Sequence, residues 1–276
     1  MNPTPDSHTH ALVALYNTPE INRITGFAEA TALLSPEELA TLYTDLRASA
    51  PSRHRRGLYY FEGRTGITSS GQYSSRREEH LAVALRNTFC RDRHLQLDNG
   101  QTLSLLDYQT PLKERRDDEG IGKVDLFGVI DKIVPCVIEL KVPTVSGSVS
   151  DTPLRAFLEG LAYCAIIEAN ITGIVSEAEA KYGLHLQAVR PALCVMAPDS
   201  YWHVWFEHPK AGAWWPRLER LASLLGTTLG LDTHFLALRD AGFEMGLASK
   251  PPRLTGTCQA VSVTSLIAAA DITGNA

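Results

Sequence analysis

Two apolar runs, GKVDLFGVID at 122–131 and VPCVIELKV at 134–142, stand almost end to end. Their β-branched content and the short connection between them predict two strands joined by a tight turn. Side chains alternate along a strand, so Cys136, Ile138, Leu140 and Val142 share one face, and Glu139 and Lys141 share the other. Burying a carboxylate and an ammonium on such a strand is costly unless they are paired or bound to a metal. If the two strands form a hairpin, Asp125 reaches the same end of the sheet as Glu139. Two carboxylates and the backbone carbonyl of Leu140 make an oxygen site suited to Mg²⁺. Lys141 beside them can stabilise charge building on a phosphate or orient an attacking water.

The flanking sequence places this pair in a layered fold. LSPEELATLYTDLRASA predicts a helix capped by Ser35, with Pro36 in the first turn and Glu38 completing a capping box. SSRREEHLAVALRNTFC, residues 74–90, predicts an amphipathic helix with Leu81, Leu85 and Phe89 on one stripe. TLSLLDYQ, 102–109, predicts a strand, and PLKERRDDEG a charged loop or hairpin tip. TPLRAFLEGLAYCAIIEA, 152–169, predicts a helix opened by Pro153, followed by a short polar helix at 174–182. RPALCVMAP, 190–198, and YWHVWFE, 201–207, predict strands around the turn Pro198-Asp199-Ser200. AWWPRLERLASLLGTTL predicts a last long helix, with a shorter helical segment near 233–245. The tail after Lys250 has no clear period. The expected class is α/β, a mixed central sheet flanked by helices. Residues 75–207 form its core, 1–74 and 208–276 are helical additions, and the whole is one unit.

The string Glu-x-Lys alone says little, because Glu179-Ala180-Lys181 repeats it in a polar, helix-prone stretch. The copy at 139–141 differs in lying on a strand that follows a strand-borne Asp. Asp125 with Glu139-Leu140-Lys141 resembles the PD-(D/E)XK nuclease superfamily, the restriction-endonuclease-like fold. The resemblance covers residues 75–198, a little under half the chain, and Val124 stands where the family motif has Pro. It implies a core of helix, three strands, helix and strand. It also implies that Asp125 and Glu139 bind Mg²⁺, with Mn²⁺ as a substitute, and that Lys141 assists phosphodiester cleavage. Many members carry a metal-facing Glu on the first core helix. Glu78 and Glu79 are the candidates here, and Glu78 shares the Leu81/Leu85 stripe. RecB-like members carry Gln-x-x-x-Tyr on the helix after the Lys. This chain has Glu159 at the first of those positions and Tyr163 at the last. The implied activity is Mg²⁺-dependent endo- or exonucleolytic cleavage, with DNA as partner. The alternatives are an inactive nuclease-fold module that binds nucleic acid or a protein, and a structural subunit docking through the apolar tail VSVTSLIAAA.

Composition bounds these readings. The formal net charge of −5 over 276 residues excludes coating of nucleic acid by bulk charge. Phosphate contacts would have to be local, and the candidates are Arg55 and Arg56 in the cluster 53–56, Arg76, Arg77, Lys123 and Tyr163. Lys113, Arg115 and Arg116 lie on the loop before Asp125. Trp202, Trp205, Trp214 and Trp215 are candidates for base stacking or core packing. The five cysteines are scattered and form no C-x-x-C pair, as expected for small apolar residues in a reducing compartment. No apolar run is long enough to span a bilayer. The N-terminus lacks the pattern of a signal peptide. A cytoplasmic protein without a membrane partner is expected, as a homodimer or in complex with another protein. His8 and His10 belong to a polar terminus.

Overall fold

The helix predicted from Ser35 is present, with the Ser35 hydroxyl accepting from the Glu38 backbone N–H at 3.2 Å. The computed structural model describes residues 9–62, 66, 77–90, 93–143, 151–244 and 250–274. The N-terminal segment forms α1 (Ala11–Tyr16), α2 (Phe27–Leu33) and α3 (Pro36–Ser49), then a 3₁₀ turn at Arg53–Arg56. His10 caps α1, and His8 lies outside the described residues.

The middle of the chain builds the sheet. α4 (Arg77–Thr88) precedes β1 (Leu95–Gln96), β2 (Thr102–Pro111), β3 (Lys123–Ile130) and β4 (Val134–Leu140). These strands pair antiparallel in sequence order. Asp131 and Lys132 turn the chain between β3 and β4 at φ 50° and 64°, the left-handed geometry that matches hairpin twist. α5 (Pro153–Ala169), capped by Thr152, and α6 (Ile171–Tyr182) then carry the chain across to β5 (Ala192–Pro198), parallel to β4. The order is therefore helix, four-stranded meander with a two-residue first strand, helix pair, parallel strand.

Two expectations fail downstream. YWHVWFE is not a strand but lies in α7 (Asp199–Glu207). Its aromatic content favours a strand locally, yet Tyr201 and Trp205 are one helical turn apart and both are buried. Conversely, residues 233–245 are not helical. They form β6 (Thr233–Arg239), after α8 (Trp214–Leu229), and then β7 (Gly242–Glu244). The run HFLALR is apolar on both faces, a pattern that a buried strand shares with a buried helix. β6 lies parallel to β5.

The tail after Lys250 is also structured. β8 (Arg253–Thr255) pairs with β7, β9 (Gln259–Ser262) pairs with β6, and α9 (Val263–Gly274) follows. The sheet order is β1-β2-β3-β4-β5-β6-β9. Residues 208–276 thus complete the central sheet, and Val263 and Leu266 of the apolar tail are buried.

Strand alternation divides the core. One face carries Phe127, Val137, Leu193, Val195 and Phe235 against α5, α3 and α8. The other carries Leu126, Ile138, Leu140, Cys194 and Met196 against α4. All four tryptophans are buried, so their role is packing and not base stacking. The Trp202 indole N–H also donates to the Leu236 carbonyl at 3.1 Å. No single helix among the described residues is long and apolar enough to cross a membrane.

Candidate active site

The hairpin register brings the strand carboxylates together. The last paired residues are Leu126 and Ile138, and Asp125 and Glu139 follow immediately beyond them. One Asp125 oxygen accepts from the Leu140 backbone N–H at 3.0 Å, and the other from Gln109 Nε2 at 2.9 Å. Gln109 sits in β2 at φ 51°, a left-handed conformation that costs an L-residue roughly 1–2 kcal/mol. Lys141 follows β4 and donates to Glu139 Oε1 at 2.7 Å. Its ammonium also lies 3.6 Å from Asp151 and 3.7 Å from Glu159. Asp125, Glu139 and Lys141 are only 9%, 3% and 3% exposed, so the site is closed in and is not the open cleft that substrate access calls for.

Glu78 and Glu79 separate here. Glu78 opens α4, and the Val142 backbone N–H bonds its carboxylate. Its charge acts on both Asp125 and Lys141, whereas Glu79 acts on His80. Helix α5 adds a second wall. Arg155 pairs with Asp151 and stands 3.5 Å from Glu159, and the Tyr163 hydroxyl donates to Glu159 at 2.8 Å. Gly122 lets β3 approach this helix, since a Cβ there would stand 2.3 Å from the Tyr163 hydroxyl oxygen.

The electrostatics follow from burial and from an excess of acids. Asp125, Glu139, Glu78, Asp151 and Glu159 face two cations, Lys141 and Arg155. Burial pushes the Asp125 carboxyl up to about 7, against the pull of Lys141. Burial also raises Glu78, and raises Glu139 well above the usual carboxylate range. Burial opposes the charge on Lys141, but Glu139, Glu78, Glu159 and Asp125 together hold its ammonium well above the usual lysine value.

A divalent cation suits this donor set. All the donors are oxygens, and Glu139 Oε2 is buried without a hydrogen-bond partner. Among the described residues, however, no three Asp, Glu, His or Cys side chains stand close enough to hold an ion as they are. The Lys141 ammonium lies among the carboxylates instead.

Arg55 and Arg56 stand 3.7 and 3.5 Å from Glu114 and keep 68% and 50% of their side-chain surface exposed. Arg77 lies over the Phe243 ring, and Arg76 lies outside the described residues. Lys123 is exposed beside the site. Tyr163 is as buried as Lys141, with its hydroxyl on Glu159. Sequence reasoning missed Gln109 and Asp151 as site residues and treated Glu159 only as a departure from a motif. The spacing Asp151, Arg155, Glu159 and Tyr163, one turn apart each, was the available signal. No family model, curated protein or solved structure matches this chain.

Proposed function

We propose that this chain is a Mg²⁺-dependent phosphodiesterase with a restriction-endonuclease-like core, acting on DNA in the cytoplasm. The carrying observation is the convergence of Asp125, Glu139, Lys141 and Glu78 at one end of adjacent strands and the start of a helix. The element order from α4 to β5 supports the fold reading. Asp125, Glu139 and the Leu140 carbonyl would hold Mg²⁺ or Mn²⁺, with Glu78 assisting. The metal, when bound, supplies an acidified water and offsets charge on the phosphate.

The chain's own groups have distinct parts. The Leu140 N–H and the Gln109 amide fix the Asp125 carboxylate. Lys141 is held protonated, so it serves as a cation and hydrogen-bond donor to a phosphate oxygen or the attacking water, and not as a base. Glu159 and Asp151 stand within 4 Å of its ammonium and keep it at the site. The test is cleavage of supercoiled plasmid and single-stranded DNA with Mg²⁺ or Mn²⁺. The wild type is expected to cut, and Asp125→Ala and Lys141→Ala to lose at least a hundredfold. Equal cleavage by all three proteins would sink the assignment.

One observation favours a second reading. The Lys141 ammonium occupies the space among the carboxylates, and no ion-holding triad is formed among the described residues. A nuclease-fold module without activity would keep that arrangement, would bind nucleic acid or a protein partner, and would take up no Mn²⁺.

A further inference from the structure

A cavity of about 530 Å³ lies at the other end of α4 from Glu78. Arg86 lines it, eight residues and roughly 12 Å along the helix from Glu78. Lys132, on the turn between β3 and β4, and Lys181, at the end of α6, line it from two other elements. No Asp or Glu is among its described lining residues, although the chain as a whole is acidic.

Arg86 donates to the Leu106 carbonyl at 3.4 Å, and Lys181 to the Phe61 carbonyl, both neutral acceptors. Asp131, next to Lys132 in sequence, has its carboxylate engaged by the Thr102 N–H at 2.8 Å and hydroxyl at 3.2 Å. Among the described residues none of the three cations forms an ion pair with a carboxylate. Asp107, which is not among the described lining residues, acts on Tyr182 together with Arg86. Clustered cations without a carboxylate partner among the described residues repel one another, so an anion is the natural occupant.

The remaining wall is apolar. Leu105 and Leu184 line it beside the Tyr182 ring, and the β2–β3 ladder shifts register between Leu105 and Asp107, which breaks the sheet at this spot. A bare phosphate would leave that half of the cavity unfilled. The volume falls in the range of about 300–1,000 Å³ typical of small-molecule sites. We infer that this cavity binds a nucleoside phosphate, with its phosphates on Arg86, Lys132 and Lys181 and its base against Tyr182 and the leucines. The site is separate from the carboxylate cluster and does not depend on the activity proposed for it.

Calorimetry of the full chain with ADP, with EDTA present to keep metal out of the carboxylate cluster, tests the inference. One ADP per chain is expected, with at least tenfold weaker binding by Lys132→Ala/Lys181→Ala. Both side chains are exposed, and an unchanged melting temperature verifies that this variant folds. The single variant Lys132→Gln should weaken binding in the same direction. Weaker binding of pyrophosphate than of ADP supports the nucleoside assignment, and equal binding overturns it. Absence of ADP binding, or ADP binding unchanged in the double variant, overturns the site.

Discussion

Replacing Asp125 with Asn removes a buried charge and keeps the side chain's shape. The amide oxygen can still accept from the Leu140 N–H, and Gln109 can turn its own amide to present a carbonyl to the new NH₂. In the metal-free protein, burial lifts the Asp125 carboxyl from 3.8 to about 7. Each unit of displacement corresponds to about 1.4 kcal/mol, so the ionised side chain costs the folded state up to about 4 kcal/mol. The direction in pH follows. Below about pH 4 the group is protonated in both folded and unfolded chains and contributes nothing. Between about pH 4 and 7 the folded chain holds a proton that the unfolded chain has released, so wild-type stability falls as pH rises, then levels off. Asp125→Asn lacks this loss. Its advantage should therefore be about 1 kcal/mol near pH 5 and reach about 2–4 kcal/mol at pH 8, allowing for relaxation around the charge. Urea unfolding of both proteins in EDTA at pH 5, 6, 7 and 8 measures it. A less stable variant at pH 8, or a difference that does not grow with pH, would refute the reasoning. Mn²⁺ at a thousand times its Kd should then cancel or reverse the ranking, because it adds about 4.1 kcal/mol to the only form that binds it.

Lys141→Met should destabilise the chain by about 3–5 kcal/mol, since it leaves Glu139 buried without its cation. Adding Glu139→Gln should recover much of that loss, and chemical denaturation of the four members of the cycle reads the coupling. Glu78→Gln should weaken Mn²⁺ binding by about tenfold in calorimetry, consistent with second carboxylates near a metal. Glu79→Gln should leave it within twofold, because Glu78 is the residue whose charge acts on Asp125 and Lys141.

The parts of this molecule that were legible in sequence are those fixed locally. Thr152 and Pro153 mark the start of α5, Ser35 caps α3, and the alternation around Glu139 separates the two faces of β4. The placement of Asp125 beside Glu139 followed from the short hairpin. What was not legible depends on neighbours far away in sequence. YWHVWFE is a helix because Trp202 and Trp205 fill space under β6 and α8, and local propensity carries no record of that. The run at 233–239 is a strand because β5 and β9 flank it. Gln109, Asp151 and Glu159 reach the site from a strand, a helix-flanking residue and a helix, and only the fold joins them. The proximity of Arg55 and Arg56 to Glu114, about sixty residues on, is likewise set by the fold and not by the local run of cations.

The central claim is that the cluster around Lys141 is a divalent-metal site for phosphodiester cleavage. Anomalous scattering from crystals of the full chain grown with Mn²⁺ tests it most directly. One strong peak is expected, with Asp125, Glu139 and the Leu140 carbonyl within about 2.0–2.6 Å of the ion, after the Lys141 ammonium has moved off Glu139. A crystal saturated with Mn²⁺ that shows no peak there, with Lys141 still bonded to Glu139, would contradict it.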